Sequence, residues 1–170
     1  QPLIIGTPEH PEVVAIAGWC RHPLVFPDGE ALQKWLDYDP KRHDLPLVMV
    51  CQTTSTKFLW NSCAKIVKKE CTNYEIFDTI CKATENRQAE AAALAAQCDA
   101  MIVVGDRKSS NTGRLAHICA AHCPQVFLVD NASELDLPKL RQARTIGITA
   151  GASTPAWIIK EVNHTMSEIN

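Results

Sequence analysis

No apolar run in this 170-residue chain approaches the length of a membrane span, and no charged start with an apolar core behind it marks a signal peptide. These absences place the expected location in the cytoplasm, with no membrane partner. A strong charge of either sign is also missing, because 17 basic and 19 acidic residues leave a formal net charge of -2. The basic residues are scattered. Their one cluster, Lys65, Lys68 and Lys69, has the spacing of a solvated helix face, so no nucleic-acid partner is expected. The eight cysteines contain no Cys-x-x-Cys pair; the nearest approach is Cys119 with Cys123, one helical turn apart, without further ligands at metal-site spacing. A composition 46% hydrophobic and poor in loops speaks against a secreted disulfide scaffold. Cys63, Cys98 and Cys119 fall on apolar faces of predicted helices, where a thiol behaves as a small buried hydrophobe. A Gly-rich dinucleotide fingerprint is lacking as well. The chain opens at Gln1 with an apolar strand and no initiator Met, which reads as a piece of a longer protein.

What is present is an alternation of short β-rich runs with helical segments, the pattern of parallel sheets covered by helices. Strands are predicted at Leu3–Ile5, Leu24–Phe26, Leu47–Cys51, Tyr74–Ile80, Met101–Gly105, Gln125–Val129 and Thr145–Thr149. Helices are predicted at Pro11–Trp19, Gly29–Trp35, Thr56–Lys69, Thr84–Ala96, Thr112–Ala121, Leu135–Gln142 and Pro155–Met166, with a polar connection over Asp37–Pro46. The ten prolines fall almost wholly at junctions, as this assignment requires. So many strand-to-helix units overfill one small sheet. The fold class expected is therefore α/β, with two small parallel sheets flanked by helices in two lobes, residues 1-77 and 78-170.

The turns that leave strands for helices share the carboxyl edges of such sheets, where ligands gather. They are rich in small hydroxyl and amide side chains: Thr7 to Glu12, Cys51 to Ser55, Asp106 to Thr112 and Ala150 to Pro155. Ser109, Ser110 and Asn111, and again Ser153 and Thr154, stand where helix N-termini offer backbone N–H groups and a positive dipole end to a phosphate. Either motif alone also suits plain N-capping. His10, Pro11 and Glu12 form an ordinary helix entrance, yet they also place an imidazole for an anion and a carboxyl for proton delivery at a strand end. Thr53 and Thr54 are candidates to relay that proton or to bind a substrate hydroxyl. Cys81 stands where a strand hands over to an Ala-rich helix, a position that favours a thiolate, although a half-buried structural cysteine fits the same place. Cys51 with Lys57 superficially resembles a Cys-x5-Arg phosphatase loop, but Lys lacks the fork that clamps a phosphate.

Taken in order, these segments resemble one family. His10-Pro-Glu-Val, Gln52-Thr-Thr, Asp78-Thr-Ile-Cys-Lys-Ala-Thr with Asn86-Arg-Gln, Val103-Val-Gly with Ser109-Ser-Asn and Arg114-Leu, and Thr149-Ala-Gly-Ala-Ser-Thr-Pro are similar to motifs of 4-hydroxy-3-methylbut-2-enyl diphosphate reductase. That iron–sulfur enzyme ends the methylerythritol phosphate route to isoprenoids. The resemblance covers nearly the whole chain and is faint only over Cys20 to Pro46. It implies that Cys81 is one of three cysteines ligating a 4Fe-4S cluster. It also implies that His10, Thr54, Ser109, Ser110, Asn111 and Ser153 bind the substrate, and that Glu12 is the proton source, working with Thr53. The reaction implied is reductive dehydroxylation of the allylic diphosphate to isopentenyl and dimethylallyl diphosphate, with electrons from a ferredoxin or flavodoxin.

The family's leading lobe, which carries the other two cluster cysteines, has no counterpart in this sequence. The chain is thus expected to be the second and third lobes of a three-lobed reductase, binding phosphate weakly and turning nothing over alone. The competing reading is a cluster-free module, or degenerate paralogue, that holds a phosphorylated ligand.

Overall fold

A computed structural model describes residues 1–168 of the chain. Backbone contacts divide it into two compact units, Gln1–Glu85 and Asn86–Asn170. In the first, β1 (Pro2–Ile5), β2 (Leu24–Phe26), β3 (Leu47–Cys51) and β4 (Tyr74–Ile76) form a parallel sheet in the order β2-β1-β3-β4. Helices α1 (Pro11–Gly18), α2 (Gly29–Tyr38) and α3 (Lys57–Glu70) connect these strands. Leu3, Ile5, Met49 and Cys51 meet Leu32 and Leu36 of α2 and Cys63 and Val67 of α3 in a core closed to solvent. Each such leucine or isoleucine contributes roughly 1.5–3 kcal/mol.

The second unit holds β5 (Ala100–Val104), β6 (Gln125–Val129) and β7 (Ile146–Ala150), parallel in the order β6-β5-β7. Every residue of β5 is buried, as expected of a central parallel strand covered on both faces. Its alternate side chains divide between two cores. Ala100, Ile102 and Val104 pack with Leu140 of α6 (Leu137–Leu140) and with Val162 and Met166 of α7 (Ala156–Glu168). Met101 and Val103 pack with Ala91 and Ala95 of α4 (Lys82–Ala95) and with Leu115 and Cys119 of α5 (Ser110–Ala120).

Four local expectations change. The strand read over Tyr74–Ile80 ends at Ile76. Phe77 N–H makes the last backbone bond, to Met49 C=O at 2.9 Å, and then the Thr79 side chain replaces the ladder, its Oγ1 accepting from Cys51 N–H at 2.9 Å and donating to Cys51 C=O. With Cys81 N–H donating to Thr53 C=O at 2.9 Å, residues 78–85, read from sequence into the second lobe, lie within the first compact unit. The helix expected over Leu135–Gln142 shrinks to Leu137–Leu140, because Asp136 caps it by accepting from Lys139 N–H at 3.2 Å and Pro138 stands in its first turn. In the polar connection a 3-10 turn forms at Pro40–Asp44 under an Asp39 cap, and α2 runs on to Tyr38.

Candidate functional site

The first unit gathers its candidate side chains where β1 and β3 end side by side, Ile5 being paired with Cys51. Pro11 opens α1 with a backbone angle already suited to a helix, and His10 caps it, Nδ1 accepting from Glu12 N–H at 3.2 Å. That bond puts the neutral ring's own proton on Nε2. The half-buried Glu12 carboxylate reaches the turn after β3 and accepts twice from one residue, Thr53 N–H at 2.8 Å on Oε1 and Thr53 Oγ1–H at 3.0 Å on Oε2. Thr53 C=O in turn receives Cys81 N–H. Glu12, Thr53 and Cys81, far apart in sequence, are thus joined by a continuous hydrogen-bonded path.

Gln52 underlies this arrangement. It is wholly buried, its side-chain oxygen accepting from Thr7 N–H at 3.2 Å and its amide donating to Thr54 Oγ1 at 2.9 Å. The β1 and β3 turns meet so closely there that a Cβ on Gly6 would lie 2.9 Å from the Gln52 Cβ and from a Val13 methyl. Cys81 is the one exposed cysteine among the described residues, and its C=O accepts from Glu85 N–H at 2.9 Å, so it starts the first turn of α4. Burial instead pushes the Cys63 thiol up to about 11 and raises that of Cys119, leaving both as inert core groups. The Lys57 ammonium pairs with Asp78 and, at 3.4 Å, with Glu85. Burial pushes the Asp78 carboxyl up, but the Lys57 hydrogen bond and Ile80 N–H outweigh it and hold the group below its ordinary value.

The second unit presents its turns at one edge because Val104 is paired with both Val129 and Ala150. Gly105 follows with φ +142°, and Gly151 N–H and Thr154 Oγ1–H both donate to Val104 C=O, at 2.9 and 3.0 Å. The next turn is held by Asp106, whose side chain accepts from Lys108 N–H at 2.7 Å and whose C=O accepts from Ser109 N–H at 3.0 Å. Ser109 is the cap of α5, its Oγ 3.4 Å from Thr112 N–H. Asn111 does not cap. It is only 7% exposed, and neither oxygen nor nitrogen of its amide has a hydrogen-bond partner; the buried Thr112 hydroxyl has none either. Arg107 is drawn aside by Glu134 and Asp130, so the turn keeps hydroxyl and amide groups at its helix end rather than a guanidinium. Ser110 is half-buried beside Asn111, and Ser153 is exposed in the turn after β7.

Each unit thus brings its predicted residues together: His10, Glu12, Thr53, Thr54 and Cys81 in the first, Ser109, Ser110 and Asn111 in the second, with Ser153 in the adjoining turn. Sequence reasoning assigned no part to Thr79 or to the ion pairs of Lys57, and it quoted Gln52 without a task. A buried amide and ion pairs that close over 21 or more residues leave no local periodicity to read.

The sequence model of a family described as LytB protein matches residues 1–167. The chain belongs to the LytB family. It is 38% identical over 169 residues to the 4-hydroxy-3-methylbut-2-enyl diphosphate reductase of Clostridium perfringens strain SM101, covering 98% of this chain and 57% of that protein. It is 41% identical to that of Clostridium tetani strain Massachusetts, covering 99% of this chain and 25% of the relative. A solved structure of the E-1-hydroxy-2-methyl-but-2-enyl-4-diphosphate reductase from Plasmodium falciparum superposes with a TM-score of 0.84 at 25% identity, over 98% of this chain and 51% of the other. A second, of (E)-4-hydroxy-3-methyl-but-2-enyl diphosphate reductase, gives 0.57 at 29% identity over 98% and 59%. This LytB-family chain therefore spans about half the length, or less, of the relatives it matches. Among its described residues no three His, Cys, Asp or Glu side chains gather as a metal site. No described helix is long and apolar enough to cross a membrane.

Proposed function

We propose that this chain is the substrate-holding part of a 4-hydroxy-3-methylbut-2-enyl diphosphate reductase and contributes one ligand, Cys81, to its 4Fe-4S cluster, the other two cysteines coming from a leading lobe outside this sequence. The observation that carries the reading is Asn111: a buried amide with both atoms unpartnered, in the first turn of α5 between hydroxyls, is a cost to the fold that an anionic ligand repays. Ser109, Ser110, Asn111 and Ser153 hold the diphosphate, with His10 donating from Nε2 and Thr54 binding a substrate oxygen. The cluster, when bound, would supply single electrons and Lewis-acid help to the departure of the allylic hydroxyl. Glu12 is the proton source: a proton taken up on its carboxyl would pass to Thr53 Oγ1 across 3.0 Å as that hydroxyl gives its own onward, reversing the present bond in which Thr53 Oγ1–H donates to Oε2. Two electrons and two protons then account for loss of the hydroxyl as water and release of isopentenyl or dimethylallyl diphosphate. The electrons come from a ferredoxin or flavodoxin, and the location is the cytoplasm.

A lone thiolate donor favours, as the second reading, a cluster-free module that keeps the diphosphate cradle. Both readings need the cradle, and Asn111→Ala tests it. Removing an orphaned buried amide leaves the Tm unchanged or higher, while loss of a hydrogen bond to a charged ligand, about 1.5–3 kcal/mol, weakens inorganic pyrophosphate binding by calorimetry at least tenfold. Equal affinity in both proteins removes the cradle from either account.

A further inference from the structure

Lys57 is the first residue of α3, capped by Thr56, and it lies in the same compact unit as the turn that carries Glu12's partner Thr53. Its ammonium spans two carboxylates that belong to different parts of one short segment. Asp78 precedes Cys81 and fixes the backbone there, its Oδ1 accepting from Ile80 N–H at 3.2 Å. Glu85 follows Cys81 in the first turn of α4, where its N–H donates to Cys81 C=O. The three charged side chains are each about one-third exposed, between 31% and 36%, so they are shielded from full solvent screening without being sealed off. Lys82 approaches Glu85 only at 3.9 Å and is 88% exposed, so it cannot replace Lys57.

We propose that Lys57 is a positioning residue for Cys81: by tying Asp78 to Glu85 it closes the segment on whose middle the thiol stands, and so fixes where that thiol points. The proposal rests on the reading of Cys81 as a cluster ligand. The extended stretch leaving β4 makes its last ladder bond at Phe77, and beyond it the backbone is anchored by the Thr79 bonds to Cys51, the Cys81 bond to Thr53 and the buried Ile80 side chain among others. Those anchors hold the backbone before Cys81. The Lys57 bridge joins the side before the thiol to the helix after it, Asp78 to Glu85, which is the geometry a metal ligand needs held before metal arrives.

Hydrogen exchange on the chain without metal reads the clamp. In Lys57→Met the protection of Cys81 N–H and Glu85 N–H falls about tenfold or more, that of Val50 in β3 stays within twofold, and Lys57→Arg restores it to within threefold of wild type. A general loss of fold would lower Val50 as well and would not be rescued by Arg. Equal protection in the wild type and Lys57→Met overturns the clamp, as does a uniform loss across β3. The cluster reading is tested separately on protein reconstituted with a leading lobe: Cys81→Ser abolishes iron retention if Cys81 is a ligand, whatever the exchange data show, and Lys57→Met loses iron to a chelator faster than Lys57→Arg does. Iron retained unchanged in Cys81→Ser removes the ligand reading while leaving the measured clamp standing.

Discussion

Glu12→Gln lowers turnover of the assembled reductase by ~10²–10⁴-fold, the usual contribution of a positioned proton donor, while pyrophosphate affinity changes less than threefold. Gln keeps the size of the side chain and one acceptor for Thr53 N–H, and its amide donates to Thr53 Oγ1, so the turn after β3 keeps its shape. What disappears is the exchangeable carboxyl proton. Thr53→Val is expected to follow in the same direction, because it removes the hydroxyl through which Oε2 reaches outward. Single-turnover kinetics with a chemical reductant separate this loss from slow electron delivery. Equal rates in Glu12→Gln and wild type take proton delivery away from Glu12.

Gly105→Ala is the most destabilising small substitution expected in the second unit. At φ +142° a residue with a Cβ is strained by about 1–3 kcal/mol. The new methyl would also stand 2.5 Å from Thr154 Oγ1 and 3.1 Å from Thr112 Oγ1. Neither oxygen is the loose end of a flexible chain: Thr154 is bound to Val104 C=O and Thr112 is fully buried. Relieving the overlap adds about 1–3 kcal/mol and shifts the Ser109–Asn111 turn that follows. At roughly 4–8 °C per kcal/mol for a unit of this size, the Tm of the second unit falls by at least ~10 °C, and pyrophosphate binding falls with it. Gly113→Ala is the contrast. Its Cβ would enter open space on α5, and it is expected to stabilise by about 0.5–1 kcal/mol. Calorimetric melts of the two variants with opposite signs support this account; similar melts contradict it.

Much of this was legible in the chain because it depends on local rules. Apolar runs such as Ala100–Val104, set between capped helices, announce buried parallel strands, and the pairing of Pro11 with Glu12 marks a helix entrance at a strand end. The LytB relationship followed from the order of those turns. Other features were not legible, since they arise only when distant segments meet. That Thr79 would finish the edge of β3 after β4 stops, and that Lys57 would bridge Asp78 and Glu85, depends on the register of β3 with β4 rather than on any neighbour in sequence. Asn111 shows the difference most plainly. From sequence, Ser109, Ser110 and Asn111 are interchangeable cap residues, whereas in the fold Ser109 takes the cap and Asn111 is left buried with its amide unpartnered.

The most direct measurement is anaerobic iron–sulfur reconstitution of this chain joined to the part of the Clostridium perfringens relative that it does not span, comparing wild type with Cys81→Ser by iron content, visible absorption and hydroxyl removal from the allylic diphosphate. The account predicts a stable cluster and isopentenyl and dimethylallyl diphosphate from wild type, with neither from Cys81→Ser. A Cys81→Ser protein that holds the same iron and forms the same products would contradict it.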